Sequence, residues 1–142
     1  MSSSNDTTEL MALVNHYARA IDRCEPDVLR EILTDDVVLV GPGFAVNGIE
    51  EACAVPAGLR EQFRATRHVV HNQCVTFDGN TAQGETYSTA SHIHHSEASE
   101  AQVLVWEVRY QDQFKLEAGR WRISRRDLLI DWTETRPILL SE

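Results

Sequence analysis

Two histidines stand three residues apart in the segment TRHVVHN, residues 66–72, whose β-branched residues predict a strand. An imidazole titrates near neutral pH, so His68 or His71 could remove a proton from a carbon next to a carbonyl group. Strand side chains alternate between two faces, and positions three apart point to opposite sides unless a β-bulge intervenes. Val70 and Asn72 share the face of His68, which makes Asn72 a candidate for orienting a substrate.

An aspartate, Asp22, follows Ile21 at the point where the apolar stripe of a predicted first helix ends. A carboxylate is unfavourable there, because it opposes the partial negative charge of the helix C-terminus. Such costs are tolerated at functional sites, whereas an aspartate without a role would be solvated. A carboxylate on one imidazole nitrogen fixes the tautomer and stabilises the imidazolium that forms on proton transfer.

The segment SHIHH, residues 91–95, adds three histidines, of which His92 and His94 share one strand face. Such a pair can bind a metal ion, with a carboxylate such as Glu107 to complete the site. The segment also lies beside a polar loop, SEASEA, where solvated histidines are expected. His92 is the better candidate of the pair for a second acid at the mouth of a cavity.

Two adjacent arginines, Arg125 and Arg126, lie on the last predicted strand, where only one of them can face inward. Strict alternation from the core positions Trp121 and Ile123 points Arg125 inward. A bulge would point Arg126 inward instead. The alternative is a pair of surface arginines that share Asp127 as their partner.

The first helix carries Asp22 and is predicted to start at Asp6, which forms a capping pair with Glu9. Apolar residues then recur at helical spacing until the helix ends near Cys24. Residues 1–6 are predicted to be disordered, because the N-terminus is rich in serine and has no apolar pattern.

Helices come first along the chain and long strands follow, which is an α+β pattern. The elements after the first helix are predicted, in order, as a short helix from Pro26, a strand at 37–40, a helix at 49–63, and strands at 68–77, 81–95, 102–116 and 120–133. Pro56 and Gly58 are expected to break the third helix into two pieces. A curled sheet over helices leaves a cavity at its open end, which is the default site.

Size and charge restrict the class of protein. The 142 residues fit a single domain, 1–142, and the net charge of −9 predicts no nucleic-acid and no membrane partner. The N-terminus lacks the pattern of a signal peptide, and no apolar run approaches the roughly 18 residues of a membrane span. Three cysteines without CxxC spacing favour reduced thiols, and we predict a cytoplasmic protein.

Several motifs in their order along the chain resemble the SnoaL-like branch of the NTF2-like superfamily. They are YARAID (17–22), TDDVVL (34–39), TRHVVHN (66–72), YQDQFKLEAGRW (110–121) and ISRRDLLIDW (123–132). The resemblance covers nearly the whole chain and implies a cone-shaped α+β barrel, with N-terminal helices packed on a curved, mostly antiparallel sheet. Members include dehydratases, a dehydrochlorinase and polyketide cyclases, as well as proteins without known catalysis, so the fold alone does not give the function.

The resemblance also assigns roles to residues. Lyases of the family place an aspartate at the end of the first helix and pair it with the histidine of a T-x-H segment, which implies a catalytic dyad of Asp22 and His68. Tyr17, five residues before Asp22, matches a tyrosine of some members, and Arg126 matches an arginine that lines their pocket. His71 is then structural or lies at a subunit interface. The resemblance further implies a cofactor-free protein without a metal and a homodimer or homotrimer.

We therefore expect a lyase or isomerase, dehydratase-like, that acts on a small hydrophobic carbonyl or hydroxyl compound. Asp22 and His68 would abstract the proton, and Tyr17 would donate a hydrogen bond to the developing oxyanion or protonate the leaving hydroxyl. Besides Arg126 and Asn72, the substrate-binding candidates are His92 and Trp106, and an aromatic wall would favour an aromatic or polycyclic substrate. A non-catalytic ligand-binding or assembly subunit is the alternative, and a metal-dependent enzyme is the third hypothesis.

Overall fold

The computed structural model describes residues 4–141, in which three helices pack against one six-stranded sheet. The helices are α1 (Ser4–Arg23), α2 (Pro26–Ile32) and α3 (Ile49–Gln62), and the strands are β1 (Leu33–Gly41), β2 (Phe44–Asn47), β3 (Ala65–Asp78), β4 (Thr81–Ile93), β5 (Glu100–Glu117) and β6 (Arg120–Leu139). The strand order is β2-β1-β6-β5-β4-β3, and only the β1–β6 pair is parallel. The predicted α+β fold, with helices on a mostly antiparallel sheet, is confirmed.

The core lies between α1 and the inner face of the sheet. Val14 and Ile21, on the apolar stripe of α1, are at most 4% exposed and belong to one cluster with Phe114 of β5 and Ile123 of β6. Burial of side chains of this size stabilises the fold by about 1.5–3 kcal/mol each. The stripe therefore fixes α1 on the sheet, and with it Asp22. No helix within residues 4–141 is long and apolar enough to pass through a bilayer.

The N-terminal end of α1 is tied to the sheet by two acidic residues. The indole Nε1–H of Trp121 donates to Asp6 at 3.1 Å, and the backbone N–H of Trp121 donates to Glu9 at 2.9 Å. The helix begins at Ser4, so the predicted disorder of residues 1–6 does not hold for residues 4–6, and residues 1–3 lie outside the described range. The carboxylates of Asp6 and Glu9 therefore lie in the first turns of α1 and also bind β6.

The third helix is continuous, and the predicted break at Pro56 and Gly58 does not occur. Proline lacks an N–H group, so Pro56 cannot donate to the carbonyl of Ala52 four residues earlier. Both residues are buried on the same face of α3, and their packing against the core offsets the one missing hydrogen bond. The continuous helix carries Leu59 to the wall of the cavity described below.

The sheet contains one strand that the sequence does not predict, and its last strand is longer than predicted. After the left-handed turn at Gly43, with φ of +81°, residues 44–47 form β2 and pair with β1, although no strand was predicted there. The last strand continues to Leu139 instead of ending near Thr133, because β5 already begins at Glu100 and pairs with β6 along its whole length. Periodicity indicates neither β2 nor the end of β6, because the residues of both are largely exposed.

A β-bulge in β3 changes which residues face the core. The register with β4 shifts between Val70 and Gln73, so His71 and Asn72 together oppose a single residue of β4. Both side chains are exposed. The expected placement of Asn72 on the same face as His68 is therefore corrected, because that expectation assumed uninterrupted alternation through the bulge.

A second bulge, in β6, decides between the two adjacent arginines. Ile123 and Arg125 pair with consecutive residues of β5, which leaves Ser124 as an extra residue whose hydroxyl donates to a β5 carbonyl at 3.1 Å. The extra residue reverses the alternation. Arg126 therefore follows Ile123 onto the inner face, whereas Arg125 turns outward.

Candidate active site

A cavity of about 540 Å³ lies between the helices and the inner face of the sheet. Most of its wall is apolar and includes Ile21, Leu39, Val46, Val55, Leu59 and Leu128. A smaller set of polar side chains reaches the same space: Tyr17, His68, His92, Tyr110 and Arg126. The volume and the mixture of apolar wall and few polar groups are typical of a site for a small organic molecule.

His68 and Asp22 are in direct contact. The Nδ1 atom of His68 lies 2.6 Å from Oδ1 of Asp22, and the backbone N–H of His68 donates to Oδ2 at 2.8 Å. The hydroxyl of Thr66 also donates to Oδ1, at 2.9 Å. A carboxylate only accepts, so Nδ1 carries a hydrogen, and the lone pair of the imidazole form of the ring is on Nε2. Because His68 lines the cavity and Asp22 does not, the lone pair is the part of the dyad that can meet a ligand.

His92 is the second imidazole at the cavity. Its ring centroid lies 4.9 Å from Phe63 and 4.6 Å from Trp106, and Nδ1 donates to the carbonyl of Leu104 at 3.1 Å. Burial lowers the pKa of His92, so the ring is neutral at pH 7. The rings of His92 and His68 are 6.3 Å apart and nearly perpendicular. The cavity therefore holds two imidazoles, each with Nδ1 engaged by the protein.

Arg126 lies at the cavity as half of a buried ion pair. The side chain is 3% exposed and makes a two-point contact with Asp112, at 2.7 Å from Nε and 3.0 Å from Nη2. The guanidinium carbon lies 3.8 Å from the ring centroid of Tyr110 and 4.5 Å from that of Tyr17, both within cation–π range. Burial alone lowers the pKa of Arg126, but the charge and hydrogen bonds of Asp112 outweigh it and raise the pKa.

The two tyrosines beside Arg126 present neutral hydroxyl groups. Burial raises the pKa of both Tyr17 and Tyr110, and the positive charge of Arg126 offsets this only in part. Within residues 4–141, neither hydroxyl forms a hydrogen bond with another residue. Both phenols are thus protonated at neutral pH and available to donate to a bound ligand.

The other predicted residues fall into two groups. Trp106 lines the cavity, as does His92. His71 lies outside, where Nε2 contacts the hydroxyl of Thr89 at 2.7 Å, and Arg125 pairs with Asp127 at 3.1 Å. Asn72 also lies outside the cavity, because of the bulge in β3.

The three residues of the metal hypothesis do not converge. Glu107 lies on the outer face of the sheet and accepts from Thr89 at 2.9 Å. His92 faces inward and His94 is exposed beyond the end of β4. Among residues 4–141 there is no group of three or more histidine, cysteine or carboxylate side chains placed to hold one ion.

Two residues at the site, Asp112 and Tyr110, are not among the candidates predicted from the sequence. The signal was present, because the residues of β5 that point inward alternate as Tyr110, Asp112 and Phe114. A carboxylate among the inward-pointing residues of a strand indicates a buried cation on a neighbouring strand. That cation, Arg126, is the cross-strand partner of Asp112 in the β5–β6 register.

The three helices packed on one six-stranded sheet form the NTF2-like α+β fold, and polar side chains reach the cavity between them. Residues 2–127 match the model of the SnoaL-like domain family, and the chain therefore belongs to that family. No curated protein sequence matches the chain. The predicted family resemblance is confirmed.

Solved structures agree on the fold. The Kfla4162 protein of Kribbella flavida superposes with a TM-score of 0.84 at 22% identity, over 94% of this chain and 95% of that one. A candidate scytalone dehydratase of Novosphingobium aromaticivorans gives 0.79 at 21% identity, over 91% and 86%. The hexachlorocyclohexane dehydrochlorinase LinA type 3 of Novosphingobium barchaimii gives 0.80 at 14% identity, over 94% and 90%. Identities this low establish the fold alone.

Proposed function

We propose that the protein is a cofactor-independent lyase or isomerase, dehydratase-like, for a small and largely apolar carbonyl or hydroxyl compound. The observation that carries the proposal is the 2.6 Å contact between His68 and Asp22, which orients the unprotonated Nε2 of His68 as a general base. Structural neighbours named as a dehydratase and a dehydrochlorinase support an elimination reaction.

The proton of a carbon next to a carbonyl group passes to Nε2 of His68, and the charge of Asp22 stabilises the resulting imidazolium. The electron pair moves onto the carbonyl oxygen. Tyr17 donates a hydrogen bond to that oxygen, and the nearby cation of Arg126 favours negative charge there. For an elimination, the proton then returns to a leaving hydroxyl, which departs as water. For an isomerisation, it returns to another carbon.

The apolar wall limits the substrate to a compound with one or two polar groups. Trp106 and Phe44 line the cavity beside the aliphatic residues, and flat aromatic or polycyclic rings suit such walls. The alternative, a non-catalytic ligand-binding subunit, would be favoured by a wholly apolar cavity. The two imidazoles, the two phenols and the buried arginine at the cavity make that alternative the weaker one.

Exchange of substrate protons with heavy water tests the proposal before the natural substrate is known. The protein is incubated in D2O with a panel of cyclic ketones and β-hydroxy ketones, and deuterium at the α carbon is measured by mass spectrometry. We expect at least one ketone to exchange faster with the protein than without it. Ligands that bind, as shown by quenching of tryptophan fluorescence, but never exchange or react would favour the non-catalytic alternative.

We also propose that the protein is a homo-oligomer, a dimer or trimer, assembled through the outer face of the sheet. The strand register places Val69, Tyr87, Leu129 and Trp132 on that face, and all four are exposed, Trp132 by 59%. Clustered exposed apolar side chains of this kind mark protein interfaces. The hydrogen bond of His71 to Thr89 lies on the same face and would be covered as well.

The change Trp132→Glu is expected to shift the protein from the assembled to the monomeric state, because it places a charge among apolar side chains that become buried. Light scattering coupled to gel filtration measures the mass of both proteins. Leu139→Glu, which changes an even more exposed residue near the chain end, is the matched control and should stay assembled. A wild-type protein that is monomeric at all concentrations would contradict the proposal.

A further inference from the structure

A second recess lies outside the Asp22–His68 dyad, and three arginines line it. Arg19 and Arg23 of α1 and Arg67 of β3 line it, and the same recess touches Asp22 and His68. Its volume is about 290 Å³, enough for a small ion or the end of a ligand. All three arginines are exposed. We call this feature the basic recess.

The cations of the basic recess are poorly compensated. Arg19 has a carboxylate partner only at 3.8 Å, in Glu25. Within residues 4–141, Arg23 and Arg67 form no hydrogen bond or ion pair. The carboxylate of Asp22 does not pair with these arginines, because its oxygens accept from His68 and Thr66.

Compensation of the helix dipole explains only part of this arrangement. Cations in the last turn of α1 interact favourably with its C-terminal carbonyl groups, which accounts for Arg23 and in part for Arg19. Arg67 belongs to a different element, β3, and adds a third cation to the same recess. The chain as a whole has a net charge of −9, so an uncompensated group of arginines runs against its overall composition.

We propose that the basic recess binds a small oxyanion, a phosphate or carboxylate group, between Arg19, Arg23 and Arg67. The guanidinium group presents N–H donors in a planar fork that matches the geometry of both anions. Asn15, at the edge of the recess, adds a side-chain amide. The proposal concerns binding only and therefore stands or falls independently of the proton transfer proposed for His68.

The backbone amide of His68 reports on the recess directly. It donates to Asp22 at 2.8 Å, and both residues form part of the recess wall. An anion beside Asp22 changes the electric field at this hydrogen bond. The amide resonance of His68 is therefore expected to shift on binding, together with those of Arg23 and Arg67.

Sodium phosphate and sodium acetate are titrated separately into 15N-labelled protein at pH 7, with ionic strength held constant by sodium chloride. We expect saturable amide shifts for at least one of the two anions. Saturation by phosphate alone assigns the recess to phosphate groups, whereas saturation by acetate as well extends it to carboxylates. Shifts that stay linear for both anions would overturn the proposal.

The double change Arg23→Gln/Arg67→Gln is expected to weaken anion binding by about tenfold or more. The matched control is Lys115→Gln/Arg120→Gln, which also removes two exposed cations. This control pair lies far from the recess. Arg120 is next to Trp121, whose backbone N–H donates to Glu9 near the start of α1, and the helix rises about 21 Å between Glu9 and Arg23. Equal weakening by both pairs would show a nonspecific response to net charge and reject the site. Circular dichroism checks that each protein is folded.

Discussion

Replacing His68 with glutamine is expected to lower the rate of α-proton exchange by about 10³-fold, within the range for loss of a general base. Glutamine keeps a polar side chain of similar reach, but its amide cannot take a proton near pH 7. The measurement is the deuterium exchange assay on whichever ketone the wild-type protein accepts. Binding of that ketone, followed by tryptophan fluorescence, should change much less than the rate.

Asp22→Asn tests the other half of the dyad. The asparagine side chain can donate to Nδ1 of His68, which favours the tautomer with hydrogen on Nε2 and removes the base from the cavity. We expect a loss of rate comparable to that of His68→Gln, and two-dimensional 15N spectra of the imidazole should show the change of tautomer.

His71→Gln is the control for both dyad variants, since it makes the same kind of change on the same strand, outside the cavity. Its exchange rate should equal that of the wild type. If the dyad variants exchanged as fast as this control, His68 would not be the base.

Replacing Asp112 with alanine is expected to destabilise the protein by about 3–5 kcal/mol, the cost of leaving a buried charge without its partner. Arg126 is 3% exposed and Asp112 is fully buried, so water cannot replace the lost contact. Urea unfolding at pH 7, followed by circular dichroism, gives the change in the free energy of unfolding. The two tyrosine rings remain beside the guanidinium but carry no negative charge to balance it.

Two companion variants separate the buried charge from other effects. Glu50→Ala removes the partner of Arg30 at 2.7 Å, but that pair is exposed and its loss should leave the unfolding curve unchanged. The double change Asp112→Leu/Arg126→Met removes both charges and should recover most of the stability lost by Asp112→Ala. A double variant as unstable as Asp112→Ala would contradict the charge argument and point to packing instead.

The fold was predictable from the sequence because its main signals are local. The helical spacing of apolar residues before Asp22, the β-branched residues around His68 and the order of helices before strands each follow from periodicity. Contact between Asp22 and His68, 46 residues apart, did not follow from periodicity. It was expected only from the family resemblance, since no local pattern encodes the distance between the end of a helix and a strand.

Other features of the site depended on tertiary register and could not be predicted. Alternation alone placed Asn72 inside and favoured Arg125 over Arg126, and in each case a single extra residue in the strand reversed the outcome. Whether a strand contains such a residue depends on its pairing with the neighbour. The alternation of β5 alone predicts that Asp112 points inward. Its role as the partner of a buried cation could be inferred only once Arg126 was known to lie opposite.

The bulge at Ser124 has a consequence for the evolution of this site. A deletion of that one codon would restore regular pairing and leave Arg126 opposite Asp112, because Ile123, Arg125 and Arg126 already pair with three consecutive residues of β5. Deletions are usually tolerated in loops rather than in strands, but at this point of β6 a deletion keeps the buried ion pair. For a relative whose strand lacks the extra residue, an alignment without a gap between Ile123 and Arg126 would equate residues from opposite faces of the sheet. A comparison of functional residues should therefore match the bulge first.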